Sequence, residues 1–186
     1  EVDMSNFDDY AGLFADDGGF DIPESFGTGI AWELSSALTL AADWQRILYS
    51  DINSVGNPLA PLLAGVPLGV ANGPGFGWED SDVYKLGAVY RATDTVTLRA
   101  GVSHMDQPIP ASETFFNILA PGVIETHLSF GASWAMSNKN EWNIAYTHGL
   151  EKTVRGANSI PMPFGGGEAD LTMHQNILAI GFTRHF

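Results

Sequence analysis

One pattern constrains this chain more than any other. From Ser25 onward, large apolar residues take every second position in seven separate stretches. Phe26, Thr28, Ile30, Trp32 and Leu34 alternate with Gly27, Gly29, Ala31 and Glu33. Leu38, Leu40, Ala42 and Trp44 alternate with Thr39, Ala41, Asp43 and Gln45, in a strand expected to run to about Asp51. The same alternation returns at Tyr84–Arg91, Val96–Ser103, His127–Trp134 and Trp142–Thr147, and in the closing run around Leu178, Ile180 and Phe182. A period of two puts successive side chains on opposite faces of a strand. One face of every stretch is large and apolar. The other is Gly, Ala, Ser, Thr or charged, which is too small and polar for an ordinary core.

The connections sort by length. Ser35–Ala37, Thr93–Thr95 and Ser137–Asn140 read as tight turns, whereas Ile52 to Ser81, Asp106 to about Ile124 and about Lys152 to Asp170 are long breaks. Short turns on one side and long loops on the other are the pattern of an outer-membrane β-barrel. A soluble sandwich also alternates, but its outward face would carry Lys and Glu, and its connections would not sort. Trp32, Trp44, Trp134 and Trp142 near strand ends fit an interfacial aromatic girdle. No run of about 18 apolar residues offers a membrane-spanning helix. The expected fold is therefore all-β, an antiparallel transmembrane β-barrel in a Gram-negative outer membrane.

Direction follows from the end of the chain. Phe186 closes an alternating strand, as the last strand of such barrels does when it runs from outside to the periplasm. The tight turns are then periplasmic, and the long breaks and residues 1–24 extracellular. Residues 1–24 are acidic, with Phe7, Tyr10, Leu13 and Phe14 near one helical face; Asn6 could cap this helix and Gly18-Gly19 stop it. The division expected is an extracellular loop with a short helix over 1–24 and a half barrel over 25–186. Seven strands alone would leave two open edges in lipid, so the chain is expected to be the C-terminal half of a longer one.

A formal net charge of -14 argues against a nucleic-acid partner. The absence of cysteine removes disulfides and Cys-based metal or redox sites. The five histidines fall on different strands without ligand spacing and read as structural. The acidic groups Asp8, Asp9, Asp16, Asp17, Glu79, Asp80 and Asp82 could hold Ca²⁺ or bridge divalents to lipopolysaccharide; solvated loop charge is the simpler account. Neither metal nor cofactor is expected. Gly73-Pro74-Gly75-Phe76-Gly77 is no phosphate loop, because Pro removes a needed N–H and no Lys follows.

Four segments carry a family resemblance: GLFADDGGFDIPESFGTGIAW, LAADWQRILYSD, FNILAPGVIETHLSFGASW and the ending MHQNILAIGF with its terminal Phe. In this order they resemble the outer-membrane long-chain fatty-acid transporter family (FadL, OmpP1, TodX-like). Phe116 to Gly122 with Glu125 and His127 is the most specific piece. The resemblance implies a fourteen-stranded barrel, of which these are the seven C-terminal strands, monomeric in its full-length form. It makes residues 1–24 part of an outer hydrophobic docking groove. It also implies diffusion-driven uptake of long-chain fatty acids or other hydrophobic small molecules, contact with outer-membrane lipid and lipopolysaccharide, and delivery by the barrel-assembly machinery through Phe186. Arg184 departs from the family's usual aromatic third from the end.

An extracellular loop should be polar unless it packs inward or meets an apolar ligand. On this ground the apolar loop Pro58 to Trp78, with Leu59, Leu62 and Leu63, and the segment Phe115, Phe116, Ile118 and Leu119 are candidate ligand contacts, with packing on the barrel rim as the alternative; Phe7, Tyr10, Leu13 and Phe14 are candidates too, with a short surface helix packing on its own loop as theirs. Inside, Ile47, Tyr49, Val89 and Met105 could line an apolar path, and Arg99 could orient a carboxylate. Lys85, Arg91 and Arg99 could equally pair with lumenal carboxylates such as Asp43 and Glu33. A general porin would have a charged lumen and polar loops. A barrel enzyme needs a base beside a nucleophile; His104 with Asp106 is only a partial set, on the lipid-facing parity.

Overall fold

The computed structural model describes residues 12–136 and 140–184. They form one seven-stranded antiparallel sheet whose neighbours follow chain order. The strands are β1 (Ser25–Glu33), β2 (Leu38–Ile47), β3 (Ser81–Arg91), β4 (Val96–Met105), β5 (Thr126–Ala135), β6 (Asn140–Val154) and β7 (Leu171–Arg184). The sheet is an open partial barrel with β1 and β7 at its edges.

Hydroxyl side chains close the short turns. Ser35 Oγ accepts from the N–H groups of Ala37 (3.2 Å) and Leu38 (3.1 Å). Thr93 Oγ1 accepts from Thr95 (3.2 Å) and Val96 (3.0 Å). Such hydroxyls mimic a backbone turn. Of the third turn, Ser137–Lys139 lie outside the described residues.

Residues paired across an antiparallel ladder share a face, so the register reads out both surfaces as rows. One outward row is Trp32, Leu40, Ala88, Ala100, Phe130, Tyr146 and Leu178; the next is Leu38, Tyr90, Leu98, Ala132, Ile144 and Ile180. Most of these side chains are bare: Trp32 is 66% exposed, Leu178 65% and Ile180 66%. A bare apolar band of this extent is untenable in water and ordinary in hydrocarbon. The inner row between the same strands is Ala31, Ala41, Gly87, Gly101, Ser129, Thr147 and Ile177, which keeps the wall smooth. Aromatics flank the outer band at both ends. Phe26 and Trp44 meet edge to face at 5.8 Å near the long connections, and Trp142 and Phe182 lie 5.0 Å apart near the turns.

Two strand ends differ from expectation. β2 stops at Ile47 rather than Asp51, and a 3₁₀ turn (Tyr49–Asp51) follows. The cause is distant in sequence: Asp80 Oδ1 accepts from both the N–H (3.1 Å) and the Oγ–H (2.7 Å) of Ser50, drawing the chain over the top of β3. Tyr49 is thus removed from strand parity, and it packs edge to face on Trp78 at 5.0 Å instead of lining the wall. β6, by contrast, continues past Lys152 to Val154. A register shift between Gly149 and Lys152 lets it do so. A bulge inserts residues into one strand and re-aims the side chains beyond it. After the shift Lys152 faces with Met173 and Val154 with Leu171, so even-numbered residues of β6 now point inward.

The expected helix over Phe7–Phe14 falls mostly outside the described residues. Its described end is a single turn, Ala15–Gly18, in which Asp16 (φ 52°) and Asp17 (φ 53°) are left-handed. The buried core lies in the long connections and the strand ends they cover; there an apolar cluster (Ile109, Val123, Val154, Leu171) seats the β4–β5 connection on the tops of β6 and β7.

Candidate functional site

The long connections converge. Phe14 from the first segment, Leu59 and Phe76 from the β2–β3 connection, and Phe116 from the β4–β5 connection are buried against one another. Leu13, Phe20, Leu62, Trp78, Phe115 and Ala120 surround them. Phe14 stacks on Phe76 at 4.7 Å and meets Phe20 (5.5 Å) and Phe116 (5.7 Å) edge to face. Offset and edge-to-face rings are the favoured aromatic geometries.

Hydrogen bonds hold this cluster in shape. The fully buried Asn117 donates from Nδ2 to the carbonyls of Phe76 (2.7 Å) and Glu113 (2.8 Å), and its Oδ1 accepts from Trp78 Nε1 (2.6 Å). Ser54 Oγ donates to the Gly19 carbonyl (2.6 Å), and Asn57 Nδ2 donates to the carbonyls of Ala71 (3.0 Å) and Gly73 (2.9 Å). Gly73 to Gly77 is buried throughout. At Gly75 a Cβ would meet the carbonyl oxygens of Asn53, Asn57 and Ser54 at 2.7–2.8 Å, so only glycine lets the chain thread there and deliver Phe76. The glycine-rich motif, meaningless as a phosphate loop, is a packing device.

Of the candidate contacts, Leu13, Phe14, Leu59, Leu62, Phe115 and Phe116 come together in this cluster. Leu63 (48%), Ile118 (54%) and Leu119 (69%) stay exposed on the same connections. Phe7 and Tyr10 lie outside the described residues. Phe76 and Trp78, within the apolar loop Pro58 to Trp78 but not named individually, join the cluster, as does Phe20, which was not singled out. Their signal was present: aromatics set between glycines or acids in loops. Met105 is half-buried at the top of β4, where its N–H donates to the Glu125 carbonyl (2.9 Å).

Beside the cluster a cleft of about 590 Å³ opens between the β2–β3 and β4–β5 connections, with Trp78, Glu113, Arg46 and Asp80 among its walls. Arg46 is neutralised there by Asp82 (2.9 Å) and Asp80 (3.5 Å). The hydrogen bonds from Ser50 hold the Asp80 carboxyl below its usual range, with Arg46 assisting, and burial pushes the Tyr49 phenol up.

Arg99 stands apart, in the inner wall. It is six residues down β4 from Met105, about 20 Å at strand rise. Its Nη1 donates to Ser133 Oγ (2.6 Å); Ser133 Oγ donates to Asn143 Oδ1, and Asn143 Nδ2 to Glu141 Oε1 (2.9 Å). Lys85 donates to Gln45 Oε1 (3.2 Å) and Arg91 to the Ser36 carbonyl (3.2 Å). Among the described residues none of these three inner cations pairs with a carboxylate, so the expected pairing with Asp43 or Glu33 is not formed. At the rim Lys152, re-aimed by the bulge, reaches Glu125 at 2.7 Å.

The arrangement offers an apolar cluster at one end of a smooth wall and a guanidinium held by a neutral hydroxyl part-way down. Among the described residues no cluster of His, Asp and Glu could hold a metal. A family described as outer membrane protein transport protein (OMPP1/FadL/TodX) matches residues 17–186. The fold is shared with the Pseudomonas putida toluene transporter TodX (20% identity, TM-score 0.59, 90% of this chain and 36% of that one). It is shared also with a Pseudomonas aeruginosa FadL homologue (17%, 0.62, 87% and 35%) and the Ralstonia pickettii toluene transporter TbuX (18%, 0.51, 90% and 34%). The chain spans about a third of the length of these structures. No curated protein matches it significantly.

Proposed function

The chain belongs to the OMPP1/FadL/TodX family of outer membrane transport proteins, and from that premise we propose that it forms the C-terminal wall of a channel for hydrophobic compounds. The long connections face the outside and capture a long-chain fatty acid or another apolar small molecule. The lumen then passes it inward by diffusion. The observation that carries this reading is the convergence of apolar side chains in the long connections, whose few charged residues between β2 and β3 and between β4 and β5 are all acidic. Leu63, Ile118 and Leu119 remain bare beside an already packed aromatic cluster. Arg99 supports a role for carboxylates, since a guanidinium held among the described residues by Ser133 alone keeps donors for a head group.

The remaining contacts follow from the same reading. The outward rows meet outer-membrane lipid and lipopolysaccharide. Phe186, outside the described residues, is what the assembly machinery reads. The full-length protein is a monomer.

The test is uptake of labelled oleate and toluene by cells carrying equal amounts of folded full-length barrel. Each large aliphatic side chain contributes about 1.5–3 kcal/mol when covered. Replacing Leu63, Ile118 and Leu119 together by Ser is therefore expected to weaken capture of both probes at least tenfold, with assembly unchanged. Arg99→Ala is expected to slow oleate and spare toluene. Wild-type cells that take up neither probe, or that pass small sugars freely, would overturn the proposal.

A further inference from the structure

The connection between β6 and β7 is no part of the capture expected from sequence, yet it carries two exposed large apolar side chains. Met162 is 83% exposed and Phe164 51%. Both sit on a 3₁₀ turn, Met162–Phe164, between Pro161 and three consecutive glycines. The base of this connection is stapled. Gly156 N–H donates to Asp170 Oδ1 (3.0 Å), Ala169 N–H to the buried Ser159 Oγ (3.0 Å), and Ile160 N–H to the Gly167 carbonyl (3.1 Å). Ala157 N–H ties it to the Ala111 carbonyl of the β4–β5 connection (2.9 Å).

The tip is different. Its backbone bonds are its own: Phe164 and Gly166 N–H to the Pro161 carbonyl (2.8 and 3.2 Å), and Gly165 N–H to Met162 (3.0 Å). Two prolines stiffen it, whereas Gly165 (φ 106°), Gly166 (φ 69°) and Gly167 (φ 105°) leave its far side unrestrained. Among the described residues one ring contact joins it to the rest of the loop end, Phe164 on Phe115 at 5.3 Å. Phe115 in turn stacks on Phe116 at 6.0 Å, and Phe116 meets Phe14 at 5.7 Å. A continuous file of rings thus leads from a bare tip into the buried cluster.

We infer that Met162 and Phe164 form, with Phe115, the outermost contact for the apolar ligand, a station it occupies before the ring cluster admits it. The inference rests on the proposed capture function. The chemistry recognised is uncharged carbon surface, by ring stacking and by the polarizable thioether of Met. An aromatic hydrocarbon and an acyl chain both supply it. The stapled base fixes where the tip stands, and the glycines let it settle on ligands of different thickness.

The experiment uses the full-length protein in cells, with folded barrel matched by heat-modifiable gel migration. Initial uptake of labelled toluene and oleate is measured across concentration for wild type, the double variant Met162→Ser with Phe164→Ser, and the conservative variant Phe164→Leu. Expected is a five- to twentyfold rise in the half-saturating concentration of the double variant at unchanged maximal rate, with Phe164→Leu near wild type for oleate. Loss confined to toluene assigns the station to aromatic rings; loss of both assigns it to carbon surface in general. Unchanged half-saturation in the double variant overturns the inference while leaving the capture function standing. A fall in maximal rate alone also overturns it, because that is the mark of a structural part. Absence of uptake in wild type removes the function and the inference together.

Discussion

Asn117 shows how a single polar residue can organise an apolar site. Buried without exposure, it spends both donors on the carbonyls of Phe76 and Glu113 and its acceptor on Trp78. Asn117→Ala would strand these partners away from water. Each net hydrogen bond is worth about 1 kcal/mol, so the loss expected is about 3 kcal/mol from the packed loop end. Limited proteolysis of the assembled barrel should then cut the β2–β3 and β4–β5 connections sooner, with strand content intact. Thr114 is the counter-case: its buried Oγ1 has no partner among the described residues. Thr114→Val should be neutral or protective in the same assay. The two residues also mark what sequence could tell. Phe14, Leu59 and Phe116 were legible because large apolar groups do not belong in acidic loops. Asn117 was not, because its meaning lies in a carbonyl 41 residues away.

At the scale of elements, the seven strands and the residues that share each face were legible because period two is enforced by the pleat itself. Their ends were not. β2 ends early because Asp80, 30 residues on from Ser50, captures that residue. β6 changes phase beyond Gly149, which lies close under Ile124 of the β4–β5 connection, and the shift brings Lys152 inward to Glu125. Both are decided by connections that fold down onto the sheet, which no local pattern encodes. The facing itself is open to test. Leu98 lies on the outward face and Gly131 on the inner one, where an added Cβ meets nothing closer than 3.4 Å. Leu98→Arg should cost about 2–4 kcal/mol if near the bilayer midplane, read as reduced folded yield in lipid vesicles. Gly131→Arg should fold normally and narrow the passage, lowering uptake. Equal folding of Leu98→Arg and wild type would reverse the assignment of faces.

The molecule as a whole is a wall with two kinds of rim. Hydroxyl-capped turns form one, and ring clusters, ion pairs and clefts form the other. This asymmetry predicts the direction of insertion. Cysteines at Asn72 and Glu168 in the full-length protein should react with an impermeant thiol reagent on intact cells, and one at Asp94 should not; labelling at Asp94 would invert the orientation. A last consequence belongs to the arithmetic of the sheet. Its strands alternate direction and number seven, so β1 and β7 point the same way. Rotating a second copy about the barrel axis would set the β7 edge of one beside the β1 edge of the other in parallel, and the alternation would break at both seams. Only a complement with an odd number of strands restores it. In an antiparallel ring, two copies inserted the same way are therefore barred from closing on each other by strand direction, before any side chain is consulted.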